Sequence, residues 1–178
     1  MSWKIDNSHS QITFSVRHMM ISNVHGRFEN FTGSVNFDPK NPTASSVSVE
    51  IDADSINTRD AQRDGHLKSP DFLNAAEFPT LTFKSNRVEQ VDDSHGKIYG
   101  DLTIRGVTRP VVLDTEYAGT SKSPWGTTSA GFSASTRISR KDWGLEWNVA
   151  LETGGWLVGD SVNINIELEI VEQVSQPA

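Results

Sequence analysis

At 178 residues the chain has the length of one ordinary domain, and 16 Lys and Arg against 23 Asp and Glu give a net charge of −7, which argues against general attraction to nucleic acid or an anionic membrane. With no cysteine, a disulfide framework and thiolate chemistry are excluded. No stretch approaches the roughly 20 apolar residues of a transmembrane helix, and Met1-Ser2-Trp3-Lys4-Ile5-Asp6 lacks the apolar run of a signal peptide, so the expectation is a cytoplasmic chain with no membrane span.

Period-two alternation between turn clusters dominates the chain. Ile12, Phe14, Val16 and His18 share one face of the first clear strand, opposite Thr13, Ser15 and Arg17. Residues 33–37 alternate likewise and run into the turn Asp38-Pro39-Lys40-Asn41-Pro42. Val47, Val49 and Ile51 form the next apolar face. Between Asn57 and Asn74 the alternation stops and helix signals replace it. Thr58 is placed to cap a short turn that Gly65 ends, and Ser69-Pro70-Asp71 reads as a second helix start. Leu81 and Phe83 follow Pro79 as a strand. Residues 98–104 and 111–115 flank residues 105–110, which read as a hairpin connection. Residues 131–138 add a strand. The cleanest alternation comes last, in Val162, Ile164, Ile166, Leu168 and Ile170. The tail at 173–178 reads as disordered.

Strands that each carry one apolar face must bury those faces together. Closing the sheet into a barrel does so without exposed edges, with a two-sheet sandwich as the alternative. The expected fold is therefore all-β, an extended antiparallel β-barrel. It forms a single domain over residues 1–172, with a short helical insertion around 58–74 lying across one end.

Chemistry is sparse. His9, His18, His25, His66 and His95 are dispersed without the i, i+4 spacing of a zinc protease, so no metal site is expected. Gly-x-Ser-x-Gly and phosphate-binding loops are absent, and the carboxylates fall in turns and on polar faces, so no catalytic residue is assigned. Two features stand out. The apolar strand faces have little helix to pack against, so they fill the lumen or line a cavity within it. The insertion concentrates Thr58, Arg59, Arg63, His66 and Lys68, of which Arg59, Arg63 and His66 are the candidates to meet a ligand's polar head at a barrel mouth. A solvated helix face with Asp60/Arg63 pairing is the alternative. Arg140 carries the same ambiguity.

Trp3-Lys4-Ile5-Asp6-Asn7-Ser8-His9-Ser10, followed by Phe14-Ser15-Val16-Arg17-His18, resembles the opening of the YceI-like family of polyisoprenoid-binding proteins. Arg63-Asp64-Gly65-His66-Leu67-Lys68-Ser69-Pro70-Asp71-Phe72, residues 100–110, Arg140-Lys141-Asp142-Trp143-Gly144 and Val158-Gly159-Asp160 continue the resemblance in order. Ser139 departs from the Asn usual in that family. The resemblance implies a lipocalin-like barrel whose lumen binds a long isoprenoid or similar lipid, with no cofactor and no catalytic residues to carry over. The groups placed around that lipid are Phe14, Val16, His18, Phe37, Val49, Ile51, Phe72, Phe83, Leu102, Ile104, Ile164 and Ile166. The expected partner is a hydrophobic small molecule, whose head is an anionic diphosphate or a neutral group such as a quinone. Its role is transport, storage or sequestration. An enzyme acting on a lipid inside the barrel is the alternative, and homodimerisation stays open.

Overall fold

The computed structural model describes residues 2–173. Its antiparallel strands are β1 (Ser2–Ile5), β2 (Gln11–His18), β3 (Ser22–Phe28), β4 (Phe31–Asn36), β5 (Ser46–Asp52), β6 (Ile56–Asn57), β7 (Thr80–Gln90), β8 (His95–Ile104), β9 (Val107–Lys122), β10 (Thr128–Ser139) and β11 (Val158–Glu172). Hydrogen bonding runs β1-β4-β5-β7-β8-β9-β10-β11 and returns to β1, which closes an eight-stranded barrel.

The remaining strands lengthen three of those eight. β2 pairs with residues 158–167 of β11 and β1 with residues 170–172, so both lie end to end along one neighbour. β3 continues β4 beside β2, and β6 continues β5 beside β3. Each of these three long staves is broken by a kink. Two kinks are short 3-10 turns, Asn7–His9 and Ala53–Ser55, capped by the carboxylates of Asp6 and Asp52. The third is Glu29-Asn30. Hydrogen bonds join the kinks sideways: Asn7 Nδ2 donates to Phe31 O at 2.7 Å, and Glu29 N to Ser55 O at 3.0 Å. The backbone groups freed by each break thus find partners in the next.

Strand alternation places the apolar faces inward, where Ile5, Phe31, Ile51, Leu81, Phe83, Leu102, Ile104, Val111, Leu113 and Ile170 are buried. β1 and β3 were not expected. In β3 the inward positions are Val24, Gly26 and Phe28, and the glycine interrupts the apolar signal. It is required there: a Cβ on Gly26 would lie 2.4 Å from Cζ of Phe14, its cross-strand partner.

The expected connection at 105–110 is instead a two-residue turn. Arg105 and Gly106 take φ of +52° and +73°, the pair of left-handed conformations that joins twisted strands tightly, and Ile104 faces Val107 directly. The insertion also differs. One helix, α1 (Ala61–Lys68), is capped by Asp60, whose side chain accepts from Arg63 N, and Gly65 lies inside it. Thr58 is not the cap because its hydroxyl is already bonded to Asp64. Ser69-Pro70-Asp71 forms a turn, its Ser69 Oγ donating to His66 O at 2.6 Å, so it closes α1 rather than starting a second helix.

The expected disordered tail lies outside the described residues except for Gln173. That residue is tied to the first strand, its N donating to Ser2 O at 3.0 Å.

Between β9 and β10 the ladder stops at Ser135–Asp114, so the lower parts of the two strands diverge. The 3-10 turn Arg140–Trp143 fills the split. Trp143 is buried, with Nε1 donating to Leu102 O at 2.9 Å, and Arg109 Nε reaches Asp142 O at 3.2 Å.

Candidate functional site

A cavity of about 760 Å³ lies within the barrel. β2 contributes Phe14, Val16 and His18 to its wall, β5 contributes Val49 and Ile51, β7 Phe83, β8 Leu102 and Ile104, and β11 Ile164 and Ile166. Phe37, just beyond β4, and Phe72, after α1, complete the expected set, so all twelve border the cavity. Of the expected mouth residues, Arg63 and His66 border it. Arg59 does not: it is exposed at φ +64° ahead of α1, its N bonded to Asn57 Oδ1 at 2.9 Å.

The two ends differ in character. At the end holding the 37–45, 91–94 and 123–127 connections, Phe37 packs its ring against Trp3, Tyr117 and Phe132, with centroids 5.7, 5.4 and 5.0 Å away. Trp3 Nε1 donates to Phe37 O at 2.9 Å, and the Tyr117 hydroxyl bonds that of Thr120. The Trp3 and Tyr117 polar tips therefore have partners while their rings supply apolar area.

At the opposite end, α1 and the 140–157 segment bring polar groups to the rim. Arg63 is folded back onto the chain ahead of its own helix, with Nε on Thr58 Oγ1 at 2.8 Å and Nη2 on Thr58 O at 2.7 Å. Thr58, buried, gives its backbone N to Asp64 Oδ1 at 2.9 Å. The alternative, an Asp60–Arg63 side-chain pairing, is not formed; Asp60 accepts from the backbone N of Arg63 at 3.1 Å. His66 Nε2 contacts Asp71 Oδ2 at 2.9 Å, and its ring stands edge-on to Phe72 and Trp147 at 5.1 and 4.5 Å.

Arg140 resolves as a buried anchor. Its guanidinium donates to the carbonyls of Gly159, at 2.8 Å, and Leu145. Burial pushes its pKa down, and Asp160, 3.9 Å away, opposes that shift. It fixes where the irregular 144–157 segment leaves and rejoins the barrel.

Sequence reasoning missed Leu145, Trp147 and Leu157, which also border the cavity at this end. The spacing Trp143, Leu145, Trp147 was a usable signal: alternate positions face the protein although the segment pairs into no strand. Thr115 and Thr136 border the cavity among apolar neighbours, and the Thr115 hydroxyl donates to Leu113 O at 3.2 Å.

One group of metal-capable side chains occurs among the described residues, and it lies away from the lumen. Asp6, His9 and Glu169 bring their ligand atoms within 4.8 Å of one another. The cap explains it. Asp6 accepts from Ser8 N at 3.0 Å and Ser8 Oγ at 2.6 Å, and meets His9 Nδ1 at 2.8 Å. Ser8 and His9 hold the Asp6 carboxyl below its ordinary value, and Asp6 raises His9.

Residues 3–170 match the YceI-like domain family. A UPF0312 protein of Enterobacter is 40% identical over 175 residues, covering 97% of this chain and 88% of its own. The crystal structure of a Campylobacter jejuni YceI protein superposes with a TM-score of 0.76 at 35% identity, covering 89% of this chain and 90% of that one. A polyisoprenoid binding domain from Saccharophagus degradans shares the fold at a TM-score of 0.67 and 16% identity, covering 96% and 98%.

Proposed function

The chain belongs to the YceI-like domain family, and from that membership and the lumen we propose that it binds a long-chain isoprenoid or similar amphiphilic lipid, for transport, storage or sequestration. The observation that carries the reading is an apolar cavity of about 760 Å³ within the barrel. Volumes of roughly 300–1,000 Å³ are usual for small-molecule sites, but those sites set several polar groups around the ligand, and here the walls are almost wholly hydrocarbon. The Saccharophagus neighbour's description as a polyisoprenoid binding domain supports the same ligand class.

The space suits the ligand. At roughly 30 Å³ per water-sized group the cavity holds about 25 methylene-like groups, or about five isoprene units. At ~0.8 kcal/mol each, their gross burial reaches about 20 kcal/mol, near the practical ceiling of binding, before ordering and association costs reduce it. Affinity then needs no strong head contact, and length and shape become the selective features. Arg63 and His66, already engaged by Thr58 and Asp71, add preference at the rim. Binding is favoured over catalysis because the cavity walls are almost wholly hydrocarbon.

Mass spectrometry of organic extracts from protein purified without detergent tests the proposal. A stoichiometric lipid with a long apolar tail is expected. Clean extracts, followed by no uptake of isoprenoid on titration, would contradict it.

A further inference from the structure

The chain is acidic on balance, yet one hairpin is not. Residues 11–28, which form β2, its turn and β3, include Arg17, His18, His25 and Arg27 and no carboxylate, in a chain with 23 Asp and Glu. Arg27, at the end away from the turn, is paired with Glu29 at 2.7 Å, which leaves Arg17 as the cation beside the turn. The turn is Met19-Met20-Ile21, exposed at 44%, 58% and 78%. Met19 and Met20 take φ of +51° and +66°, a left-handed conformation that Gly and Asn fill readily and other residues enter at a cost. Turning the chain does not call for two thioethers and an isoleucine there.

A second segment joins them. Met19 N donates to Leu157 O at 2.8 Å. Met20 lies against Gly155, where a Cβ would approach its Sδ to 2.9 Å. Leu157 N in turn bonds Val149 O at 2.9 Å. Trp156 and Val149, exposed at 56% and 46%, thus extend the apolar tip sideways, and Glu152 is the only charged residue in 147–157. The patch continues into the lumen, because His18 and Leu157, the chain neighbours of Met19 and Trp156, border the cavity.

We infer that this tip docks the barrel rim on an anionic lipid bilayer. Met19, Met20, Ile21 and Trp156 enter the interface, and the carboxylate-free hairpin faces the headgroups. Aliphatic and indole groups at the tip suit the headgroup–acyl boundary. Arg17, exposed beside the turn, adds attraction that net charge alone conceals. The inference rests on the lipid-carrier reading and names its partner: a tail leaving the bilayer would pass from acyl chains to lumen across the apolar sector of the rim, between Met19 and Leu157, and not past Arg63 and His66.

The test compares wild type with Met20→Asn/Ile21→Asn, a pair of exposed positions where asparagine tolerates the turn. Co-sedimentation is measured with phosphatidylcholine vesicles and with 3:1 phosphatidylcholine–phosphatidylglycerol vesicles, at low and high salt. Wild type is expected to favour the anionic vesicles, to weaken as salt rises, and to bind at least about tenfold more tightly than the variant. Equal partitioning of the two proteins, or no partitioning of wild type, overturns the inference. So does self-association of wild type that the variant abolishes, which would assign the patch to a second copy of the chain.

A vesicle-free arm separates this from the lumen reading, using N-phenyl-1-naphthylamine displaced by farnesol. Equal displacement in both proteins supports the inference by confining the lesion to the surface. Loss in the variant alone means that the turn shapes the lumen and overturns it. Failure of wild type to take up either probe contradicts the lipid-carrier reading, while the vesicle result still judges the docking surface.

Discussion

The two halves of the barrel are incomplete in different ways. No strand from β7 to β11 is shorter than 10 residues, whereas none from β1 to β6 exceeds 8. Besides the register shifts near Ser85 and Gly131, the long-strand half opens at the split between β9 and β10, where the buried Trp143 lies, while the buried Arg140 beside it holds the carbonyls of Gly159 and Leu145. In the kinked half, β6 covers only Arg27 and Phe28 of β3, and α1 with its polar cluster stands where the sheet ends. A defect sealed by apolar bulk holds the wall shut. A defect bordered by Arg63 and His66 gives the lumen a polar rim.

The largest expected effect lies on the sealed side. Trp143→Ala should destabilise the fold by about 3–5 kcal/mol, because a buried indole is deleted and Leu102 O loses its donor. Urea unfolding measures this, and a loss under ~1 kcal/mol would mean that the split tolerates being open. On the kinked side, Gly26→Ala should cost about 1–3 kcal/mol through collision with Phe14. Phe14→Leu should recover part of that loss in the double variant. Additive losses would show that the collision is relieved elsewhere.

The same contrast explains what was legible. β11 reads directly from Val162 to Ile170 because an unbroken strand repeats its inward residue often enough to be recognised. β3 hides because Gly26 occupies an inward position, and β1 because four residues give two inward groups. The kinks look like loops in sequence, since Asp6 and Asp52 cap 3-10 turns with the residues that also start coil. The strand-borne lumen positions border the cavity because alternation sets which face is inward, whereas Phe72, in the turn after α1, borders it for a different reason, packing beside His66 and Trp147. The rim was harder: it depends on which polar groups satisfy one another. Arg59 lies exposed ahead of α1 and outside the cavity wall, which its basic character does not signal, and Trp147 was missed because its segment pairs into no strand.

The smallest effect concerns the β1–β2 kink. His9, raised above the ordinary 6.5 by Asp6, contributes stability that is complete below that value and fades as pH rises through the raised one. Asp6, lowered from 3.8 by Ser8 and His9, contributes stability present above 3.8 and lost as pH falls through the lowered value. Both charges coexist between those limits. Wild type should therefore exceed His9→Gln in stability most clearly between pH 3.8 and 6.5. Thermal unfolding across that range checks it, and a difference independent of pH would dissociate the kink from the ion pair.

The central claim is that the lumen is space for a ligand, not packed core, and Val49→Trp tests it most directly. Val49 lies mid-strand in β5 and borders the cavity. Lipid stoichiometry is measured on the protein as purified, and unfolding on the delipidated protein. The account predicts that the indole occupies ligand space, so bound lipid falls sharply or shortens while delipidated stability changes by less than ~1 kcal/mol. Full lipid retention together with a loss of ~1–3 kcal/mol from overpacking would contradict it.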